Sequence, residues 1–193
     1  MNIQDQLRLN RWSRLTYHDP REVLLRLRPI QMQAIASDLP NRAKGLRTHE
    51  LKSYREWREA ALFCFGLSEA IGTTVSYATF EEEDYDVVAR WTESSVETYA
   101  AVQIKEVVPG YTNPAASLSE VIEGLAKYPG SQNTVVAIHF NRRERLELSE
   151  IILPPLHVGA VWLFGAISDD ESRWFLYGDL LKSPQPHEFA YPT

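Results

Sequence analysis

Two apolar runs of strand length, residues 85–91 and 101–105, constrain this chain more than any other feature. Both are rich in valine and alanine, as is typical of buried strands. Each also carries polar groups that a buried strand does not hold without a reason, namely Asp86, Gln103 and Lys105. Because Gln103 and Lys105 are two residues apart, their side chains should share one face of a sheet. The pattern predicts a cluster of acid, amide and ammonium, which suits a divalent metal beside a phosphate.

The composition is that of an ordinary globular domain. A chain of 193 residues with 44% apolar and 24% charged residues forms one domain, or one with a small appendage. No apolar run reaches the length of a membrane span, and the first residues lack the apolar core of a signal peptide. The single cysteine, Cys64, excludes an internal disulfide and lies among Leu62, Phe63 and Phe65, so we expect a core residue in a cytoplasmic protein.

The charge is unevenly distributed along the chain. Residues 1–58 carry 12 Lys and Arg against 6 Asp and Glu, whereas residues 59–193 carry 8 against 20, which together give the net charge of −6. The basic part begins with Arg8, Arg11, Arg14, Arg21, Arg26 and Arg28. Such a segment could meet nucleic acid, or it could be a helical hairpin that docks on the acidic remainder of its own chain.

Helical spacing dominates the first part of the sequence. A helix is predicted over 20–37, and Pro29 should kink or divide it. Residues 38–47 contain breakers and are expected to form a loop. A longer helix should run from Thr48, as N-cap, to Ile71 and stop at Gly72.

After Gly72 the pattern changes to one typical of strands. Strands are predicted at 73–80, 86–91, 96–108, 134–140, 158–167 and 173–181, with turns at 81–84, 92–95 and 168–172. A capping box at 117–120 begins a helix that should end at 128–130. The chain is therefore predicted to be α/β, with an αβββαβ core at 48–145, a helical extension at 1–47 and a β-hairpin extension at 146–193.

That order of elements, with an acid heading the second strand and Gln-x-Lys on the third, resembles the PD-(D/E)XK nuclease superfamily. The resemblance spans about residues 48–140 and implies a restriction-endonuclease-like fold, in which helices flank a mixed central sheet. Asp86 matches the family's acid, and Gln103-Ile104-Lys105 matches its second element in the less common glutamine form. Tyr85 stands where the family usually has proline, and an amide replaces the second carboxylate.

Elementary chemistry gives these residues their roles as well. Mg²⁺ prefers oxygen ligands, which Asp86, the side chain of Gln103 and the carbonyl of Ile104 could supply. Lys105 would offset the negative charge that develops on a phosphate during hydrolysis. The alternatives are structural, since Asp86 could cap the preceding turn and the two long side chains could reach solvent at a sheet edge. Asp84 is the alternative acid.

Glu59 is the candidate for the helical glutamate that many family members carry before the first strand. It lies on an apolar stripe of its helix, where a carboxylate is costly unless a charged or hydrogen-bonding group meets it. The water shell of a metal would meet that need, and an ion pair with Arg55 is the alternative. Glu56 and Glu69 are the fallback choices for this position.

Other polar residues carry weaker signals. His139 lies in an apolar strand, where a histidine is usually a satisfied core residue and less often lines a phosphate site. Arg142, Arg143 and Arg145 could contact a phosphate backbone or form a solvated turn. Glu106 should point away from Lys105, toward solvent or the following helix.

Three functions remain open from the sequence. The first is hydrolysis of phosphodiester bonds in nucleic acid, most readily DNA, with Mg²⁺ or Mn²⁺ as cofactor. The second is a nuclease fold without catalysis that binds nucleic acid or protein, and the third is a protein-binding adaptor. The family resemblance also implies a homo-oligomer or a larger assembly, and no membrane partner is expected.

Overall fold

The computed structural model of the protein describes residues 3–82, 85–126 and 132–193. The helices are α1 (Ile3–Trp12), α2 (Pro20–Ala36), α3 (Asn41–Lys44), α4 (Lys52–Ile71) and α5 (Leu118–Leu125), with short 3₁₀ turns at His49–Leu51 and Leu148–Glu150. The strands are β1 (Ser76–Glu82), β2 (Tyr85–Glu93), β3 (Val96–Val107), β4 (Thr134–Phe140), β5 (Ala160–Ala166), β6 (Arg173–Gly178) and β7 (Gln185–Ala190). The chain is an α/β protein, as predicted.

The strands form one open sheet of seven members whose spatial order follows the chain, from β1 to β7. β1, β2 and β3 are antiparallel neighbours, whereas β4 lies parallel to both β3 and β5. β6 and β7 complete the sheet in antiparallel fashion. Segment 146–193 therefore continues the central sheet, and its first two strands form the expected hairpin.

Helix α4 covers one face of this sheet. Its buried run from Ala60 to Phe65 packs with Val102 and Ala137 of the central strands in the largest apolar cluster of the described residues. Gly72 ends the helix in the left-handed region at φ 70°, which glycine adopts without steric cost. Helix α5 packs on the opposite face with Ile122 and Leu125, and its predicted capping box at Ser117 and Glu120 is present.

Several boundaries differ from the prediction. Pro29 lies inside an undivided α2, because buried Val23, Leu24 and Leu27 hold that helix in the core beside α4. The expected loop at 38–47 contains the short α3.

The strand expected from Thr73 begins only at Ser76, and β6 stops before 181. Residues 81–82 extend β1 and do not form a turn, whereas Asp84 and the predicted helix end at 128–130 lie outside the described residues. Strand β7 was not predicted, because its Gln-Pro-His-Glu start lacks an apolar alternation, although an edge strand tolerates such a sequence.

Helix α1 packs against strands β2 and β3 through Trp12. Trp12 is 3% exposed, and its indole N–H donates to the hydroxyl of Tyr85 at 3.1 Å. Across the described ranges, none of the helices is both long and apolar enough to cross a membrane.

Candidate functional site

Strands β2 and β3 separate at a fork that is held by Asp86. Their backbone pairing runs from Glu93 to Val87, which lies opposite Val102. At the next position the carboxylate of Asp86 accepts a hydrogen bond of 2.8 Å from the backbone N–H of Ile104. The side-chain amide of Gln103 donates to the same oxygen, Oδ2, at 2.5 Å. The acid and the amide that the sequence singled out are therefore in direct contact.

A cleft of about 630 Å³ opens beside this fork, between α4 and the sheet. Its wall includes Lys52, Arg55, Glu59, Asp86, Ile104 and Lys105. Lys105 lies two residues beyond Gln103 on β3, and the strand alternation gives both side chains the same direction. Of the predicted motif, Asp86, Ile104 and Lys105 line the cleft, whereas Gln103 is not among the residues of its wall.

Glu59 enters the cleft from the helix side. The side chain of Ile104 packs into the apolar cluster under α4, so Gln103 and Lys105 alternate to the other face of β3. Glu59 is only 5% exposed. Its Oε1 atom contacts His139 Nδ1 at 3.3 Å and lies 3.9 Å from Arg55 Nε. Among the contacts of the described residues, none joins Glu59 directly to Asp86.

Glu106 occupies a position that the sequence reasoning did not foresee. Its side chain is 13% exposed and pairs with Arg47, and Asn141 donates to its Oε1 at 2.8 Å. Glu106 points away from Lys105, as expected, but it contacts Arg47 and Asn141 and not solvent or the following helix. Strand alternation turns it toward α4, where the parallel register of β3 and β4 sets it opposite His139.

Glu59, Glu106 and His139 form a buried cluster that could hold a metal ion. One ligand atom from each residue lies within 4.8 Å of the others. Carboxylate oxygens and an imidazole nitrogen are common metal ligands. The sequence does carry one indication of this cluster. The parallel neighbours β3 and β4 each have a potential metal ligand, Glu106 and His139, one residue before the strand ends.

The ring of His139 is fixed by aromatic neighbours. It stacks on Phe164 with ring centroids 4.9 Å apart and planes 11° apart, and Trp174 lies 5.8 Å away. His139 was expected to be a core residue, and its exposure of 2% confirms that it is buried. Its contact with Glu59 adds a polar function to that core position.

A second polar network adjoins the cluster. Glu171 accepts from Arg58 at 2.5 Å and from the amide of Gln31 at 2.6 Å. Burial alone would raise the pKa of the Glu171 carboxyl, but Arg58, Gln31 and His139 outweigh that effect and lower the pKa below its ordinary value. This network ties α2 and α4 to the β5–β6 turn.

Most of the other basic candidates are used within the fold. Arg142 donates to the backbone carbonyls of Ala116 and Pro114, and Arg143 pairs with the exposed Asp169 at 3.3 Å. Arg145 forms an exposed pair with Glu147 at 2.5 Å.

The basic first part of the chain also contacts the acidic remainder. Arg28 donates to the carbonyl of Asp170 at 2.7 Å and lies over the ring of Tyr191, and Arg21 donates to the carbonyl of Thr193. The docking role therefore accounts for two of the six arginines singled out in that segment.

Glu56 and Glu69, the alternatives to Glu59, do not contact His139 or the fork in the described contacts. Glu56 pairs with Lys52 at 3.3 Å at the rim of the cleft, and Glu69 is exposed near the end of α4. Cys64 is fully buried as expected, and its burial raises the pKa of the thiol. It is therefore a core residue and not a nucleophile.

Comparison of the chain with models of known protein families, with curated proteins and with solved structures gave no match.

Proposed function

We propose that the protein hydrolyses phosphodiester bonds in nucleic acid, most readily in DNA, with Mg²⁺ or Mn²⁺ bound at the fork. The observation that carries this proposal is the contact of Asp86 with Gln103 and Ile104, on the wall of a cleft that Lys105 also lines. The specific restriction-endonuclease-like fold is part of the same proposal. The order αβββαβ within an open mixed sheet supports it.

The fork residues suit a hard divalent cation. Asp86 offers an anionic oxygen, and the Ile104 carbonyl and the Gln103 amide offer neutral ones. The amide of Gln103 donates to Asp86 in the present arrangement, and a half-turn about its last torsion exchanges nitrogen for oxygen. Glu59 lines the cleft from the α4 side, on the face of β3 opposite Gln103, so it is not counted among the ligands of this ion. Such an ion would polarise a phosphoryl oxygen and lower the pKa of a bound water.

Lys105 supplies the positive charge of the proposed reaction. A lysine amine beside the reacting phosphate stabilises the charge that develops on its oxygens in the transition state. Lys52 and Arg55 on the helix side of the cleft would contact neighbouring phosphates of the strand and fix its register.

A nucleic-acid-binding protein without catalysis is the second candidate. It is favoured by one observation, that Oδ2 of Asp86 already accepts from two N–H donors of its own chain. The amide at position 103 also gives the fork one negative charge fewer than two carboxylates would, which weakens its attraction for Mg²⁺.

Incubation with supercoiled plasmid distinguishes the two candidates. We expect nicking in Mg²⁺ or Mn²⁺ and none in excess EDTA. Binding that weakens with salt, without any cleavage, would support the second candidate. Neither binding nor cleavage of DNA or RNA would contradict both and leave a protein-binding role.

A further inference from the structure

The buried cluster of Glu59, Glu106 and His139 lies outside the Asp86 fork and differs from it in chemistry. The fork offers only oxygen atoms, whereas this cluster combines two carboxylates with an imidazole. It is built from three separate elements, α4, β3 and β4, which converge where the parallel strands β3 and β4 end. We propose that it is a second metal site, specific for a divalent transition-metal ion such as Mn²⁺ or Zn²⁺.

The spacing of the ligand atoms fits a single ion. All three lie within 4.8 Å of one another, and Glu59 Oε1 is 3.3 Å from His139 Nδ1. Bonds of about 2.0–2.2 Å set the ligands of one ion roughly 3–4 Å apart. Small side-chain rotations would therefore close the cluster around an ion without movement of the strands.

The carboxylates keep ligand capacity in spite of their neighbours. Every described contact of Glu59 and Glu106 is made through Oε1, to His139 and Arg55 in the first case and to Arg47 and Asn141 in the second. A carboxylate accepts at both of its oxygens, and each oxygen has two lone pairs, so Glu59 and Glu106 can each bind an ion beside these contacts. Arg55 lies at 3.9 Å, at the limit of an ion pair, and can withdraw because its side chain is 23% exposed.

The surroundings hold the ligands in position before an ion arrives. Asn141 and Arg47 fix Glu106, and stacking on Phe164 fixes the plane of His139. Contacts of this kind orient the side chains that bind a metal ion and strengthen metal binding in proteins. These contacts reduce the ordering of side chains that metal binding would otherwise require.

The ligand set determines which metal should bind. Imidazole favours Zn²⁺, Fe²⁺ and related ions, whereas carboxylate and water alone suit Mg²⁺. A site with one imidazole and two carboxylates should therefore prefer Mn²⁺ or Zn²⁺ to Mg²⁺ by at least about tenfold in affinity. This inference does not depend on catalysis at the fork.

The test is a titration with Mn²⁺, followed by the electron paramagnetic resonance signal of the free ion, on the full chain carrying Asp86→Asn. That substitution weakens binding at the fork, so we expect one tightly bound Mn²⁺ per chain. Adding Glu106→Gln, which keeps an acceptor for Arg47 and Asn141, should weaken this binding at least about tenfold. Glu97→Gln, an exposed acid on the same strand, is the matched control and should change nothing.

Two results would overturn the proposal. One is that the Asp86→Asn chain binds no Mn²⁺, and the other is that Glu106→Gln and His139→Gln bind it as tightly as their parent. A crystal of the unaltered protein soaked in Mn²⁺ avoids any effect of substitution on folding. Anomalous density among Glu59, Glu106 and His139 is the expected result, and its absence while a peak appears at Asp86 would contradict the second site alone.

Discussion

The backbone N–H of Ile104 donates to Oδ2 of Asp86 at 2.8 Å, at the point where strands β2 and β3 cease to pair. A side-chain carboxylate thus takes the place of a backbone carbonyl in the ladder. The fork opens next to this contact and leaves a cleft whose wall holds both Asp86 and Lys105. The proposed chemistry depends on this arrangement.

Asp86→Asn should weaken Mg²⁺ binding at the fork while preserving the fold. Asparagine keeps a side-chain oxygen for the N–H of Ile104 but loses the negative charge that attracts the cation. We expect the dissociation constant for Mg²⁺, measured by calorimetry, to rise at least about tenfold. Asp169→Asn, at a side chain that is 92% exposed, serves as the control. Unchanged Mg²⁺ affinity in Asp86→Asn would remove Asp86 from the metal site.

Glu171→Gln should destabilise the protein at neutral pH. The substitution leaves Arg58, whose side chain is 9% exposed, without its anionic partner. The loss in free energy of unfolding should be about 1–3 kcal/mol in urea denaturation at pH 7. Glu188→Gln, at an exposed pair with Arg173, should cost much less.

Glu171→Gln should also make the free energy of unfolding less dependent on pH in the acid range. The pKa of Glu171 is lowered in the folded state from its ordinary value of 4.5, so the folded protein binds this proton more weakly than the unfolded chain. The resulting stabilisation is present above about pH 4.5 and is lost as pH falls through the folded-state pKa. The difference in unfolding free energy between the parent and Glu171→Gln should therefore shrink between pH 6 and pH 3. A difference that stays constant over this range would contradict the assigned ion pair.

Two glycines in helices give opposite predictions for one substitution. A Cβ at Gly66 of α4 would lie 2.6 Å from the ring of Phe189 on β7, whereas a Cβ at Gly124 of α5 meets nothing within 4 Å. Gly66→Ala should lower the free energy of unfolding by about 1–3 kcal/mol through overpacking. Gly124→Ala should raise it by roughly 0.5–1 kcal/mol through helix propensity. Thermal denaturation measures both, and a stabilised Gly66→Ala would show that α4 does not pack against β7 in this way.

Local patterns predicted those parts of the fold that local forces determine. The apolar run of β4 and the capping box at Ser117 were recognisable because burial and capping act within a few residues. Strand β7 was not, because it is held by pairing with β6 and by the contact of Phe189 with Gly66. Those contacts join residues that are far apart in the sequence.

The candidate site divides in the same way. Asp86 and Gln103 could be matched from the sequence because two antiparallel neighbours bring them together. The meeting of Glu106 with His139 and Glu59 depends on the parallel register of β3 and β4 and on the rotation of α4 over them. A short motif encodes neither this register nor this rotation, so the sequence pointed Glu106 to solvent or the following helix and did not reveal its contact with the cluster.

The rate of plasmid nicking by Lys105→Ala is the most direct test of the proposed hydrolysis. Removal of this ammonium should lower the rate in Mg²⁺ by about 10²–10³ through lost charge stabilisation, with Mg²⁺ affinity and thermal stability near those of the parent. Lys182→Ala, at a side chain that is 78% exposed and paired with Asp179, controls for the loss of one positive charge and should nick at the parental rate. If Lys105→Ala nicks as fast as the parent protein, Lys105 has no catalytic role and the hydrolysis does not occur at this fork.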